Sequence, residues 1–240
     1  KYRYNKHMAP KKKITWMETV KKSLSNLGSK KVIIACSGGA DSMTLLDIVR
    51  TQGSIGIIVA HLNHTLRPTA LRDEKIVETY CREHWLKFET LSKDIKKEAK
   101  KTKTTIEECA RNIRKEWFEL LRKKYKTDYI LTAHHADDQA ETLLYRITKW
   151  TSITGLVGIE EYSREYARPL ISLSKQEILD YARENSVPFW HDETNDDTTI
   201  PRNLIRHEIL PELQKINPEV ATAVTRMGNS ARELKMSFDA

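Results

Sequence analysis

VIIACSGGADSMTLLDIV, residues 32–49, changes character in its middle. Residues 32–36 form a run of apolar, mostly β-branched side chains, the pattern of a strand buried on both faces. From Asp41 onward, Met43, Leu46 and Val49 recur at near-helical spacing. Between the two patterns stand only two serines, two glycines, an alanine and an aspartate. A strand that passes so directly into a helix is the opening of a βαβ unit. The chain then repeats the move. Residues 56–64, 87–92 and 128–135 read as further strands, and residues 70–85, 105–125 and 136–150 as helices. The longest helix starts with a capping box, Thr105 to Glu108, and turns Ile106, Ala110, Ile113, Trp117, Leu120 and Leu121 inward. Lysine-rich residues 96–105, KKEAKKTKTT, read first as an exposed linker and second as a contact zone for backbone phosphates. Strand–helix alternation predicts an α/β fold: a Rossmann-like parallel sheet with right-handed crossovers and helices on both faces.

After about Thr151 the texture changes. A glycine- and proline-containing stretch leads to a helix with its own capping box, Ser174 to Glu177, and then to a polar loop of acids and amides. A helix follows Pro201, and Asn217–Pro218 caps a last one that is still running at the final residue. We divide the chain into a basic N-terminal segment (1–29), a main domain (30–215) and the start of a small helical C-terminal extension (216–240). The helical ending raises the expectation either of further protein beyond it or of a short form of the protein.

The 240 residues are 39% hydrophobic and 31% charged, as in soluble globular proteins. No segment approaches the ~18 consecutive apolar residues of a membrane helix, and the basic start lacks the apolar core of a secretory signal. Cys36, Cys81 and Cys109 are scattered without a C-x-x-C pair. That suits a reducing compartment and speaks against a cysteine metal centre. Lysine plus arginine (41) exceeds aspartate plus glutamate (33), a net charge of +8 that favours polyanionic partners.

Three polar clusters fall at the carboxyl ends of expected strands, where open parallel sheets bind ligands. They are SGGADS (37–42), HLNHTLRP (61–68) and AHHADDQAE (133–141). In the first, Gly38 and Gly39 permit positive φ and close approach of a ligand to the backbone. Successive N–H groups at a helix start form an anion-binding nest. Asp41 would repel a bare phosphate, so a bridging Mg²⁺ or a donor on a nucleotide is required beside it. The same six residues also fit an ordinary turn with Asp41 or Ser42 as N-cap. Their place on one edge with the other two clusters favours a nucleotide site.

SGGADS resembles the S-G-G-x-D-S pyrophosphate loop of the PP-loop ATPases, which have an adenine nucleotide alpha hydrolase-like fold and split ATP between its α and β phosphates. With HLNHTLRP, ECARNIR, TAHHADDQAET, RPLISLSKQEI, DETND and IPRNLIRHEILPEL in order, the chain resembles the bacterial tRNA(Ile)-lysidine synthetases over roughly residues 32–218. That resemblance implies a cytoplasmic ligase acting on tRNA(Ile) with a CAU anticodon, with ATP, Mg²⁺ and L-lysine, and a homodimer. It implies that ATP adenylates C2–O of the first anticodon cytidine and that the lysine ε-amine then displaces AMP. Ser37, Gly38, Gly39, Ala40, Asp41, Ser42 and Arg111 would bind ATP, with Asp41 at the metal through the phosphates. Asp138 and Glu141 would bind lysine, and Asp41, Asp138 and Arg202 would be catalytic. Asp137, His134, His64 and Arg206 are further candidates, with Arg67 and His135 beside them. Arg202 and Arg206 share a helix face, and either a phosphate or the nearby Asp192 and Glu193 would suit them. The chain departs from the family after the acidic helix: a segment of form R-G-S-G is KWTSITG here, retaining only Gly155. The alternatives to this ligase are a tRNA thiolase and a basic RNA-binding domain on a relic nucleotide fold.

Overall fold

The structure, a computed structural model, describes residues 15–28, 30–65, 70–149, 151–190 and 198–238. Helix α1 (Trp16–Asn26) leads into β1 (Lys31–Ala35), α2 (Ala40–Gln52), β2 (Gly56–Asn63), α3 (Ala70–Glu83) and β3 (Lys87–Ser92). Two helices, α4 (Ile95–Thr102) and α5 (Ile106–Tyr125), return the chain to β4 (Tyr129–Leu131) and α6 (Ala136–Thr148). A hairpin of β5 (Tyr162–Ser163) and β6 (Tyr166–Ala167) precedes α7 (Lys175–Glu184). The helical end comprises α8 (Pro201–Leu204), a π-helical turn (Ile205–Ile209), α9 (Leu210–Ile216) and α10 (Val220–Phe238).

The sheet has the order β3-β2-β1-β4-β6-β5, parallel throughout except at the β5–β6 hairpin. Central β1 is buried on both faces, as its continuous apolar run requires. Val32 and Ile34 join the core formed with α1, α2, α3 and α7, whereas Ile33 packs with Ile58, Ile130 and the Trp117, Phe118 and Leu121 side chains of α5. The chain therefore winds outward from β1 to β3 over one face and returns over the other to β4, on the opposite side of β1. Strand order reverses between β1 and β4, and the crevice at their carboxyl ends is where such folds take ligands.

Several expectations are corrected. Residues 96–105 are not a linker over their length: most belong to α4, capped by Asp94 on the Lys97 amide at 3.0 Å. Ile95 and Ala99, one turn apart, bury against Cys109 and Ala110, a stripe too short to stand out among lysines. On α5, Ala110, Trp117 and Leu121 are buried, but Ile106 and Leu120 are 45% and 65% exposed. Thr105 caps the Glu108 amide there. Strand β4 ends at Leu131, before the expected residue 135, because His134 and His135 satisfy their polar groups locally, on Thr132 Oγ1 and Asp138 Oδ2. Residues 1–29, read only as basic, include α1, whose Thr15–Glu18 capping box starts a helix that buries Val20 and Leu24. The two-residue strands β5 and β6 carry no periodicity to detect. The three cysteines are buried and unpaired, and among the described residues no helix is long and apolar enough to cross a membrane.

One buried carboxylate ties three helices together. Asp47 on α2 accepts hydrogen bonds from Tyr80 of α3, from Tyr181 of α7 at 2.7 Å and from Arg50 at 2.6 Å. Burial alone would raise its pKa, but the two hydroxyls and the guanidinium outweigh it and hold the carboxyl below the usual range. Asp47→Ala leaves three donors facing apolar surroundings and is expected to cost about 2–4 kcal/mol in chemical denaturation. Because the native pKa is depressed, the carboxylate's contribution is complete above the unfolded aspartate value and is lost as pH falls through the native one. The variant should therefore show a weaker acid-induced loss of stability than the parent.

Candidate active site

The SGGADS turn is built as a cradle. Gly38 has φ +90°, and a Cβ there would lie 3.1 Å from the Asp73 carbonyl oxygen, so the position requires glycine on both counts. Gly39 does not use that freedom. It is the N-cap of α2 with φ −76°, and a Cβ would meet nothing closer than Ser37 Oγ at 3.6 Å. The protein's own packing does not demand a glycine there, which leaves open backbone for a ligand to approach. No side chain caps α2, so the amides of Ala40, Asp41 and Ser42 remain directed at the crevice with the positive end of the helix dipole. Neither Asp41 nor Ser42 is the cap. Ser42 is buried, and its hydroxyl braces the loop between the Ser37 amide (3.1 Å) and the Gly39 carbonyl (3.0 Å). The exposed hydroxyl of this turn is that of Ser37.

Across the crevice, α6 begins with its acids in place. His135 is its N-cap residue, and Asp138 Oδ2 accepts the His135 amide at 3.0 Å. The imidazole of His135 is buried among Asp137 (3.4 Å), Asp138 (3.4 Å) and Asp41 (3.8 Å). Burial would lower its pKa, but the carboxylates outweigh burial and raise it. His134 is the opposite case: burial pushes it down to about 4, so it is a neutral imidazole. Glu141 is 1% exposed and held by the Arg206 guanidinium at 2.6 and 3.0 Å, and Asp138 lies 3.4 Å from the same group. Burial raises the Glu141 pKa even against that guanidinium. Asp137 is held low: His135 and the Lys175 amide outweigh its burial.

Lys175, at the start of α7, was not singled out among the sequence candidates. Its ammonium bonds Asp41 Oδ1 and its backbone N–H bonds Asp137 Oδ2 at 2.6 Å. Asp41, Asp137, Asp138 and Glu141 thus gather beside Lys175, Arg206 and the His135 imidazole, with Arg202 close enough to act on Glu141.

The other candidates are placed as follows. Arg202 donates to Thr142 on α6 at 2.7 Å, which brings it to the same helix as Glu141. Arg111 is exposed on the first half of α5, whose N-terminal end lies on the carboxyl edge of the sheet. His64 directly follows β2. His61, in the same motif, is structural: its Nδ1 lies 2.9 Å from the Cys36 carbonyl oxygen. Arg67 and residues 192–196 lie outside the described residues. In the KWTSITG departure the retained Gly155 is held by Arg146, which donates to its carbonyl at 2.7 Å. Trp190, also missed, donates its backbone N–H to the Gly38 carbonyl at 2.9 Å and stacks under Arg72. Neither contact has a local sequence signal.

Mg²⁺ fits Asp41. A single carboxylate beside a phosphate cradle is its usual protein environment, the phosphates supplying the remaining oxygens. Burial pushes the thiols of Cys36 and Cys81 up to about 11 and about 12, which disfavours their thiolate forms.

Residues 12–213 match the family model of the PP-loop domain. A tRNA(Ile)-lysidine synthase of Thermotoga maritima is 39% identical over 199 residues, 82% of this chain and 48% of that protein. One from Clostridium tetani is 38% identical over 216 residues, 88% of this chain and 46% of its own. The chain spans about half the length of the curated relatives it matches. Among solved structures, the U34-tRNA thiolase NcsA of Methanococcus maripaludis, with its 4Fe–4S cluster, aligns with a TM-score of 0.75 at 16% identity, covering 91% of this chain and 78% of that one. An NH3-dependent NAD synthetase from Campylobacter jejuni aligns at 0.53 with 15% identity, covering 91% and 95%. At these identities the likeness is one of fold.

Proposed function

The chain belongs to the PP-loop domain family, and from that premise we propose that it is the ATP-binding, ligating part of a tRNA(Ile)-lysidine synthase. The observation that carries the reading is the pairing of two opposite binding environments across one crevice. On the β1 side, uncapped amides and Ser37 suit the pyrophosphate of ATP. On the β4 side, clustered carboxylates, with Asp138 still 18% exposed in its side chain, suit the ammonium-bearing substrate, L-lysine. An enzyme that adenylates one substrate and then admits an amine needs both within reach of the α phosphate.

In this reading the loop amides of Ala40, Asp41 and Ser42 hold the leaving pyrophosphate while the cytidine C2 oxygen attacks the α phosphorus. Charge develops on that leaving group, so fixed N–H donors stabilise the transition state more than the ground state. Mg²⁺, held by Asp41, supplies charge neutralisation to the phosphates when bound. Arg111 and Arg202 reach the nucleotide and the activated cytidine from α5 and α8. Asp138, 18% exposed in its side chain, and Glu141 behind it take the lysine substrate, Glu141 also fixing Arg206. Once the amine displaces AMP, lysine is joined to C2 of the wobble cytidine. The enzyme acts in the cytoplasm on tRNA(Ile) with a CAU anticodon, as a homodimer.

Incubation with ATP, labelled lysine and unmodified tRNA(Ile) is expected to yield one lysyl group per tRNA and one AMP per lysine. Folded protein that binds ATP and tRNA yet incorporates no lysine would overturn the proposal. Sulfur incorporation instead would favour a thiolase.

A further inference from the structure

Lys175 is the residue of the crevice whose contacts the proposed reaction does not yet use. Its backbone is fixed. Ser174 and Glu177 form a reciprocal capping box at 2.8 and 3.3 Å, and the Ala136 amide bonds the Leu173 carbonyl at 2.7 Å. One residue joins the first turns of α2 and α6, which follow β1 and β4, through its N–H to Asp137 and its ammonium to Asp41. Its head group is not fixed in the same way. The side chain is 41% exposed and that of Asp41 30%, and ion pairs at such exposure are weak enough to exchange partners.

Charge balance gives this pair a purpose. A polyphosphate lying on the α2 amides would sit beside the Asp41 carboxylate, and even with one divalent cation a triphosphate keeps negative charge that backbone dipoles offset only in part. Of the nearby guanidinium groups, Arg206 is engaged by Glu141 and Asp138 and Arg72 by the Trp190 ring, while Arg202, on Thr142, approaches from the α6 side rather than from Asp41. Lys175 is the full positive charge that points at the loop acid, next in sequence to two of the uncapped amides.

We propose that Lys175 is a triphosphate-binding residue: the ammonium that neutralises Asp41 here serves a β or γ phosphate oxygen in the ATP complex. The inference rests on the reading that this loop binds ATP. The four-carbon stem, anchored at the first turn of α7, lets the head group change partner by side-chain rotation alone, as a lysine point charge does better than a planar guanidinium.

The test is calorimetric titration of the whole protein with α,β-methylene-ATP plus MgCl2, with inorganic pyrophosphate, and with AMP by competition. Lys175→Met is expected to weaken the ATP analogue and pyrophosphate by about 10–100-fold, the range of one charge-assisted hydrogen bond. AMP should change by less than about twofold, since it lacks the phosphates in question. Lys175→Arg should regain most of the loss, and circular dichroism melts should match for all three proteins. Unchanged analogue affinity in Lys175→Met, or equal losses for AMP and the analogue, would overturn the inference while leaving the ATP reading intact. Parent protein that bound neither analogue nor pyrophosphate would remove the ATP reading and this inference together.

Discussion

Asp41→Ala is expected to lower the rate of AMP formation by at least about 10²-fold while leaving the melting temperature within a few degrees of the parent. The loss has two sources. The carboxylate is the group at the cradle that can hold Mg²⁺ against the phosphates, and removing a preorganised charge-stabilising group typically costs two to three orders of magnitude. It also removes the partner that holds the Lys175 ammonium at the cradle before ATP binds. The small effect on stability follows from the same contacts. Asp41 is 30% exposed in its side chain and its ion pair is half in water, so little of the fold depends on it. Loss of its favourable place in the first turn of α2 amounts to no more than about 1 kcal/mol. AMP release measured with and without tRNA, beside a thermal melt, checks both halves. A variant that formed AMP at the parental rate would remove Asp41 from the chemistry.

What could be read from residue order is what local chemistry encodes. The turn at residues 37–42 follows a continuous apolar strand and precedes a periodic helix, so its position at a sheet edge was legible. So was the placing of the 133–141 cluster on the same edge, since every strand of a parallel sheet ends there; that β4 pairs directly beside β1 was not. Partnerships across long stretches of chain were not. Arg206 meets Glu141 from 65 residues away, and sequence proximity suggested Asp192 or Glu193 instead. Lys175 reads as an ordinary solvated lysine at a helix start, because only the packing of α7 against the β4 loop turns it toward Asp41. Helix α4 escaped detection for a different reason. Two buried residues suffice for a helix of 8 residues once Asp94 caps it, and lysines fill the rest of its surface. Gly39 shows the limit from the other side: a glycine is legible in sequence, but whether it serves conformation or ligand access depends on its φ.

Arg206→Met is expected to be the most destabilising change in the crevice, costing about 2–4 kcal/mol at pH 7.5. Glu141 is 1% exposed, and its two oxygens rest on the Arg206 guanidinium. Removing one partner of a buried pair leaves the other charge uncompensated, which costs about 3–5 kcal/mol when both are dry. The lower figure applies because the arginine side chain is 35% exposed. The pH dependence identifies the mechanism. Burial already raises the Glu141 pKa with Arg206 present, and the variant should raise it further. A native pKa above the unfolded one means that the native state binds more protons, so stability falls as pH rises through that window. The deficit of Arg206→Met should therefore be large at pH 7.5 and shrink toward pH 5. Adding Glu141→Gln should recover most of it at neutral pH, because no buried charge then remains. Urea denaturation of the parent, both single variants and the double variant at the two pH values measures all of this. If the deficit were the same at both pH values, Glu141 would not be the group left unpaired. The same set of proteins reads the lysine pocket independently of stability. Glu141→Gln keeps the shape of the site but lowers its negative charge, so the lysine concentration needed for half-maximal ligation should rise several-fold while pyrophosphate release in the adenylation step is retained. Lysine dependence that did not move would return the ammonium to Asp138 alone.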